Sequence, residues 1–597
     1  MQHPLRQTWD LDSLFPGGSE SPQFARFLDD ISARLETFRQ ELAGAGKPVT
    51  AEEAESLSGL VETLQHLMGD LMQADSFTAC LAAENQDDKR AVQLGGKVKS
   101  LNAEFHSALT RFDSLLLAIP DRVWEGLLHQ ERWRPVAFAL NERRMDGKEK
   151  LPPEQEALVS ALAVDGYHGW GELYDTTVSQ VRIPHETKDG VVLLSAGQAS
   201  NKLHSPDRAE RSALFDSWEA SWENYEDFCA DALNHLGGFR LQLYKQRGWD
   251  SVLKEPLSIN RMSAKTLNVM WEVIDRNKDV FVRYMNRKAE LLGVERLAWH
   301  DVEAPIGSAD LTFTYDEGAK IIVQQFRRFS PKMADFAEMA FEKGWIEAED
   351  RPGKRPGGFC TSFPVSEETR IFMTYGGTAD NVSTLAHELG HGFHQHVMTD
   401  LPVLSQNYAM NVAETASTFA EMVVSDAAVR QAEDASQKLA LLDDKIQRSI
   451  AFFMNIHARF LFETRFYEER KKGIVGADQL SELMVEAQRE AYRDALSEYH
   501  PHFWASKLHF YITDVPFYNF PYTFGYLFSA GIYAFAEKEG SGFEDRYIAL
   551  LRDTGRMTVE ELALKHLGVN LEQPEFWQQA VDLAVRDVEQ FIEMTNG

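Results

Sequence analysis

The five residues from His387 to His391, with the sequence His-Glu-Leu-Gly-His, constrain this chain more than any other feature. Residues four apart lie on one face of an α-helix, so both imidazoles can hold one metal ion while Glu388 acts on the attacking water. The preceding run, 370–377, is β-branched and aromatic and ends in two glycines, which is typical of a strand. Helix-starting residues follow at 378–384. The pattern predicts a helix that carries a site for metal-assisted hydrolysis.

A catalytic zinc ion needs a third protein ligand and an open fourth position. Glu414 and Glu421 are seven residues apart, so they share one face of a second predicted helix. We take Glu414 as the third ligand and Glu421 as a partner that orients a liganding histidine. The pattern His-x-x-Gly-x-x-His is excluded, because the chain has His394 and Val397 where that pattern needs glycine and histidine. The sequence therefore predicts one zinc ion per chain.

Five motifs occur together in this chain: WDLDSL at 9–14, KRPGGFC at 354–360, HELGHGFHQH at 387–396, ETAST at 414–418 and HFYITDVPFYNFPYTFGYLFS at 509–529. In this combination the chain resembles the M3 family of zinc metallopeptidases, in the oligoendopeptidase F branch. The resemblance implies a mainly α, zincin-like fold of two helical lobes that wall a deep substrate channel. It also implies a small β-sheet near the active site.

The organisation of the chain fits a two-part protein. Amphipathic spacing over about the first 170 residues predicts packed helices. Residues 177–194 predict a β-hairpin whose first strand begins at Val178, and 207–245 predict helix with a buried stripe of aromatic side chains. We expect an N-terminal helical lobe at 1–190 and the catalytic domain at 191–597.

The aromatic segment at 509–529 contains the remaining predicted catalytic residues. Peptide hydrolysis builds negative charge on the carbonyl oxygen, and a hydrogen-bond donor placed there stabilises the transition state more than the ground state. In the family a histidine and tyrosines of this segment face the metal, which by motif match implies His509, Tyr522 and Tyr526. Tyr518 is an alternative to either tyrosine and a candidate substrate-binding residue.

Residues 359–363 and 370–375 predict a small antiparallel pair of strands before the zinc-binding helix. One strand could bind an extended peptide along its edge through backbone hydrogen bonds. Gly376 and Gly377 would then permit close approach of the substrate backbone. The alternative is a sheet that only braces the helix, and the sequence leaves both interpretations open.

The composition of the chain disfavours several classes of partner. A formal charge of −31 disfavours nucleic acid and anionic membrane surfaces. Three widely spaced cysteines make a disulfide framework improbable. We found no apolar run of signal-peptide length near residue 1 and no uncharged stretch long enough to span a membrane. We therefore expect a cytoplasmic protein; the sequence does not predict its oligomeric state.

These features predict a zinc-dependent endopeptidase that hydrolyses internal bonds of short, unstructured peptides. Two other functions stay open at this point. An exopeptidase on the same scaffold would carry a group that binds a peptide terminus, and such a group could come from any part of the chain. A non-catalytic peptide-binding protein would need the groove but no general base, and the presence of Glu388 disfavours it.

Overall fold

The structure is a computed structural model that describes residues 4–307, 312–432 and 434–596. Within them the chain is mainly helical. The first thirteen α-helices are α1 (Pro22–Gly44), α2 (Ala51–Ser56), α3 (Ser58–Glu84), α4 (Lys89–Ala118), α5 (Asp121–Leu128), α6 (Ala137–Glu149), α7 (Pro153–Ala163), α8 (Gly169–Gln180), α9 (Ala196–Lys202), α10 (Arg208–Glu223), α11 (Glu226–Arg247), α12 (Lys254–Ile259) and α13 (Ala264–Leu291). The others are α14 (Tyr315–Phe329), α15 (Pro331–Glu342), α16 (Ala379–His396), α17 (Met410–Gln431), α18 (Ala435–Ile450), α19 (Ile456–Arg470), α20 (Ala477–Ala491), α21 (Phe503–Ser506), α22 (Phe520–Glu539), α23 (Glu544–Asp553), α24 (Val559–Leu567) and α25 (Pro574–Thr595). The mainly α prediction is confirmed.

Helix α1 shows how local sequence defines these elements. The hydroxyl of Ser21 caps its N-terminus by accepting a hydrogen bond of 3.3 Å from the backbone N–H of Phe24. Pro22 follows at the first helical position, where its missing N–H costs nothing. The buried side chains recur every three or four residues, as in a helix with one apolar face: Phe24, Leu28, Ile31, Leu35, Phe38 and Leu42.

The chain divides into two compact units, each built from three separate segments. The first unit comprises Met1–Pro153, Asp310–Val424 and Phe535–Leu567. The second comprises Glu154–Ala309, Ser425–Ala534 and Gly568–Gly597. This partition does not follow the expected boundary at residue 190, which stays a prediction.

The predicted β-hairpin is confirmed, but its predicted start is wrong. Strand β1 (Ile183–Thr187) pairs antiparallel with β2 (Gly190–Leu194), with Ile183 opposite Leu194. Gly190 has a φ of 118°, which suits the turn because glycine has no Cβ. Residues 178–180 belong to α8, and the N–H of Val181 closes that helix on the carbonyl of Val178. The β-branched residues at these positions favour a strand, but the preceding helix continues through them.

The predicted aromatic stripe, which runs from Phe215 to Phe228, is wrong at its C-terminal end. Trp218 and Trp222 on α10 are buried, whereas Phe228 on α11 is 56% exposed. The helix breaks between α10 and α11, where Tyr225 has φ −119° and ψ 0°. Because the break resets the helical phase, spacing counted across it no longer identifies one face.

A three-stranded sheet lies next to the helix that carries the His-Glu-Leu-Gly-His sequence. Its strands β3 (Ile346–Glu347), β4 (Phe359–Phe363) and β5 (Glu368–Phe372) occur in the order β3-β5-β4. Strand β4 is antiparallel to β5, as the sequence predicts, and both lie against α16.

Over the described ranges, no helix combines the length and apolar character needed to cross a membrane.

Candidate metal centre and catalytic residues

Helix α16 places the two histidines side by side. Its N-terminus is fixed by a capping box, in which the Thr378 hydroxyl accepts from the N–H of Asn381 at 3.1 Å. The Asn381 side chain in turn accepts from the N–H of Thr378 at 3.3 Å. One turn apart on this helix, the rings of His387 and His391 have centroids 4.9 Å apart. The local sequence is therefore sufficient to bring two potential ligands together.

Helix α17 approaches α16 closely at Gly390. A Cβ atom at this position would lie 2.5 Å from the carbonyl oxygen of Ala416 and 2.6 Å from the Cα of Ser417. Only glycine allows the two backbones to meet at this separation. The close approach brings the N-terminal part of α17, which carries Glu414, beside the two histidines.

Glu414 completes a group that can hold a metal ion. Its Oε2 lies 3.2 Å from Nε2 of His387 and 3.5 Å from Nε2 of His391. The three ligand atoms all lie within 4.8 Å of one another. The hydroxyl of Ser417 donates to the same carboxylate oxygen at 2.7 Å. Two imidazoles and one carboxylate are a typical donor set for catalytic zinc.

The charges of the group suit metal binding. Burial alone would raise the pKa of Glu414, but the hydrogen bond from His387 and the charges of both histidines lower it to about 2. Burial lowers the pKa of His391 to about 4, so its imidazole is neutral near pH 7. A neutral imidazole and an ionised carboxylate are the forms that bind a cation.

Glu421 lies on the other side of His387. Its Oε2 is 3.2 Å from Nδ1 of that ring, while Nε2 faces Glu414. A proton on Nδ1 that is donated to Glu421 leaves the lone pair of Nε2 free for a metal ion. Carboxylates commonly orient liganding histidines in this way.

Glu388 is not a member of the group that can hold a metal ion. Its side chain is buried, and burial raises its pKa to about 7. Among the described residues, Oε2 of Glu388 has no hydrogen-bond partner. A Cβ atom at Gly358 would lie 3.2 Å from the other carboxylate oxygen, so this glycine leaves room beside it. An unpaired carboxylate with a pKa near 7 can accept and return a proton at neutral pH.

We expect Gly390→Ala to disrupt the metal centre, because the added methyl group would push α16 and α17 apart. The free energy of unfolding should fall by about 1–3 kcal/mol, the usual cost of overpacking. Metal content, measured by mass spectrometry of the purified protein, should fall with it. Gly96→Ala is the matched control, since a Cβ atom at Gly96 on α4 would meet nothing within 4 Å. Normal stability and metal content in Gly390→Ala would show that the close approach is unimportant.

The second unit brings three of the predicted aromatic residues together. His509 lies in a short 3₁₀-helix, Leu508–Phe510, and its ring is stacked on Tyr518 with centroids 5.3 Å apart. The ring of Tyr522 lies 6.0 Å from His509 and 5.3 Å from Tyr518. Burial and the charges of Arg459 and Lys507 lower the pKa of His509 to about 3. The imidazole is therefore neutral at pH 7.

Tyr526 has different neighbours from the other two tyrosines. Its hydroxyl lies 2.8 Å from that of Ser449, and its ring is stacked on Phe452 with centroids 4.5 Å apart. Burial raises its pKa. These contacts are typical of a packing residue. The catalytic role that the resemblance implies for Tyr526 stays a prediction, although these contacts favour Tyr518 and Tyr522 for it.

Backbone groups of both predicted substrate-binding glycines are paired within the chain. The N–H of Gly376 donates to Oδ1 of Asn381 at 2.7 Å. The carbonyl of Gly377 accepts from the N–H of Phe313 at 2.8 Å, and its φ is 88°. These two bonds brace the start of α16. A contact with substrate through the other backbone groups of the two glycines stays a prediction.

The fold and the residues of the first unit define a helical, metal-dependent hydrolase. The sequence profile of Peptidase family M3 matches residues 202–583, and that of Oligopeptidase F matches 116–182. The chain therefore belongs to Peptidase family M3, and it is a peptidase.

The similarity of this chain to named relatives and to solved structures extends over most of its length. An oligoendopeptidase F homolog of Lactococcus lactis subsp. lactis is 24% identical, over 96% of this chain and 95% of the relative. Oligopeptidase PepF of Bacillus subtilis is 22% identical, over 95% of this chain and 84% of its own length. The fold resembles the crystal structure of oligoendopeptidase-F from Enterococcus faecium, with a TM-score of 0.70, 18% identity and coverage of 96% and 99%.

Proposed function

We propose that this protein is a zinc-dependent endopeptidase that cleaves internal bonds of short, unstructured peptides. The observation that carries the proposal is the group of His387, His391 and Glu414 with the unpaired carboxylate of Glu388 beside it. The donor set favours zinc over magnesium or calcium, which prefer oxygen ligands. One ion per chain is expected, and the names of the relatives support peptides as substrates.

In the proposed mechanism, a zinc ion held by this group would supply Lewis acidity that polarises the scissile carbonyl and acidifies the attacking water. Glu388 removes a proton from that water and delivers it to the leaving amine. Glu421 holds the ring of His387 in the orientation that presents Nε2. Tyr522 or Tyr518, with neutral His509, donates to the developing oxyanion, the role that the family resemblance implies for this segment.

The direct test uses one unstructured peptide with an acetylated N-terminus and an amidated C-terminus. An endopeptidase should cut an internal bond and produce one fragment with the acetylated N-terminus and one with the amidated C-terminus, which mass spectrometry distinguishes. Removal of single residues from an unblocked version, with no cleavage of the blocked peptide, would indicate an exopeptidase. Binding of the peptide by zinc-loaded protein without any product would indicate a peptide-binding protein.

The enclosed channel that the resemblance implies has its own test. Cleavage rates on unstructured peptides with one fixed cleavage sequence should fall once the added residues no longer fit inside the channel. Efficient cleavage of a long unfolded protein, or of an exposed loop in a folded one, would contradict a deep channel while leaving the zinc chemistry intact.

The free state of all three cysteines agrees with the cytoplasmic location that we propose.

We expect Tyr522→Phe or Tyr518→Phe to lower kcat by roughly 10²–10³ with little change in KM, the effect of losing an oxyanion donor. Tyr526→Phe serves as the matched control. It should lose the contact with Ser449, lower the melting temperature and leave kcat largely unchanged. Measuring kcat and Tm for all three variants assigns the role, and unchanged kcat in all of them would remove tyrosine from the mechanism.

A further inference from the structure

A cavity of about 210 Å³ lies wholly within the second unit. Residues of α10, α19 and α21 contribute to its walls. Its aromatic lining residues are Phe215, Trp218, Trp299, Tyr492 and Phe503. Two cationic side chains, those of Arg459 and Lys507, also line it. The volume is below the ~300 Å³ at which pockets for drug-sized ligands begin, so it suits one residue or one end of a peptide.

The two cations lie close to the same aromatic ring. The guanidinium carbon of Arg459 is 5.4 Å, and Nζ of Lys507 is 5.6 Å, from the centre of the Phe503 ring. Arg459 is only 9% exposed, and its Nε donates to Oδ1 of Asn455 at 2.8 Å. That bond uses one of the five donors of the guanidinium group.

Neither cation has a carboxylate partner among the residues that the structure describes. Glu303 is the acidic residue whose charge acts on both, and its carboxylate also lies 3.7 Å from Nδ1 of His204. Burial, and next the charge of Arg459, lower the pKa of Lys507 to about 7. Like charges held close together in a partly buried pocket destabilise a protein, and a bound anion adds to the relief that the charge of Glu303 provides.

We propose that this pocket binds a carboxylate group of the peptide substrate through Arg459 and Lys507. The inference rests on the proposed peptidase function. A planar guanidinium group matches the two oxygens of a carboxylate, and an ammonium group adds a point charge. The single negative charge of a carboxylate also suits a pocket that contains Glu303, which would repel a dianion such as phosphate more strongly.

The position of the pocket in the chain supports a substrate role. Lys507 is two residues before His509, and both cations are close enough to lower the pKa of His509. His509 is the residue that the family resemblance assigns to the reaction. A carboxylate held by Lys507 would therefore be bound by the same segment of chain as a residue that is expected to contact substrate.

Two groups of a peptide carry this chemistry, the C-terminal carboxylate and the side chain of Asp or Glu. The test uses one peptide sequence with either a free or an amidated C-terminus, and with Glu or Gln at each internal position in turn. Affinity is measured by calorimetry on zinc-loaded Glu388→Gln protein, so that the result does not depend on turnover. The carboxylate that occupies the pocket should strengthen binding by about 10- to 100-fold over its neutral counterpart, as for a charged hydrogen bond.

Lys507→Met should abolish this preference while retaining affinity for the neutral peptides. Lys507→Arg keeps the charge and should retain most of the preference, which separates a local effect from misfolding. Lys472→Met is the control, because Lys472 is 70% exposed and does not line the pocket. The proposal is overturned if Lys507→Met keeps the preference, or if no carboxylate strengthens binding to the parent protein. Absence of any peptide binding would instead overturn the proposed function together with this inference.

Discussion

Replacing Glu388 by glutamine should leave the metal bound and lower kcat by at least ~10²–10⁴, the loss typical when general acid–base catalysis is removed. The amide has nearly the shape of the carboxylate but cannot accept the proton of the attacking water. Glu388 is not a member of the group that can hold the metal, so its replacement leaves the three ligands unchanged. Metal content and kcat are measured on the same preparation.

The environment of Glu388 makes this the most informative substitution. Its carboxylate is buried, and Oε2 lacks a hydrogen-bond partner among the described residues, so the substitution breaks no structural bond at that atom. The melting temperature should therefore change little. Glu125→Gln on α5 is a suitable control, because Glu125 is exposed. Near-normal turnover in fully zinc-loaded Glu388→Gln protein would contradict the mechanism.

Replacing Glu414 by alanine should remove the metal and abolish peptidase activity. The carboxylate oxygen of Glu414 is the atom that faces both histidines, at 3.2 Å and 3.5 Å, and the substitution leaves two imidazoles with no anionic ligand. A strong chelator should inactivate the unmodified protein for the same reason, and added zinc should restore activity. Full zinc occupancy in Glu414→Ala protein would exclude Glu414 from the ligand set.

Glu421→Gln should weaken metal binding less than Glu414→Ala does. Its contact is with Nδ1 of His387, and loss of such an outer partner typically weakens metal affinity by about 10- to 100-fold. The order of metal affinity should be unmodified protein, then Glu421→Gln, then Glu414→Ala, as measured by competition with a chelator of known affinity. Equal affinities in the two variants would mean that the roles of the two carboxylates are wrongly divided.

The sequence by itself determined the local elements of the metal centre. Thr378 and Asn381 form the capping box of α16, and the spacing of His387 and His391 then places both rings on one face. Such features depend on residues within one or two turns, so they can be inferred from the order of amino acids. The sequence motifs likewise indicated membership of Peptidase family M3.

Tertiary structure decided which of the candidate residues meet. Gly390 was visible as a glycine within a helix, but only the close approach of α17 explains it. Ser449 and Phe452 lie more than seventy positions before Tyr526, and they give it a packing environment that no local pattern announces. The pairing of Gly377 with Phe313 likewise comes from a segment outside the predicted motif.

The same distinction applies to the largest features of the molecule. Each compact unit is assembled from three segments that are separated along the chain by segments of the other unit, so no composition shift along the sequence marks its limits. Arg459 and Lys507 share one pocket although they are far apart in the sequence. Local hydrogen bonding and periodicity fix helices and caps, whereas burial against distant side chains fixes which charges, glycines and aromatic rings come together. The sequence encodes both, but only the first can be deduced from neighbouring residues.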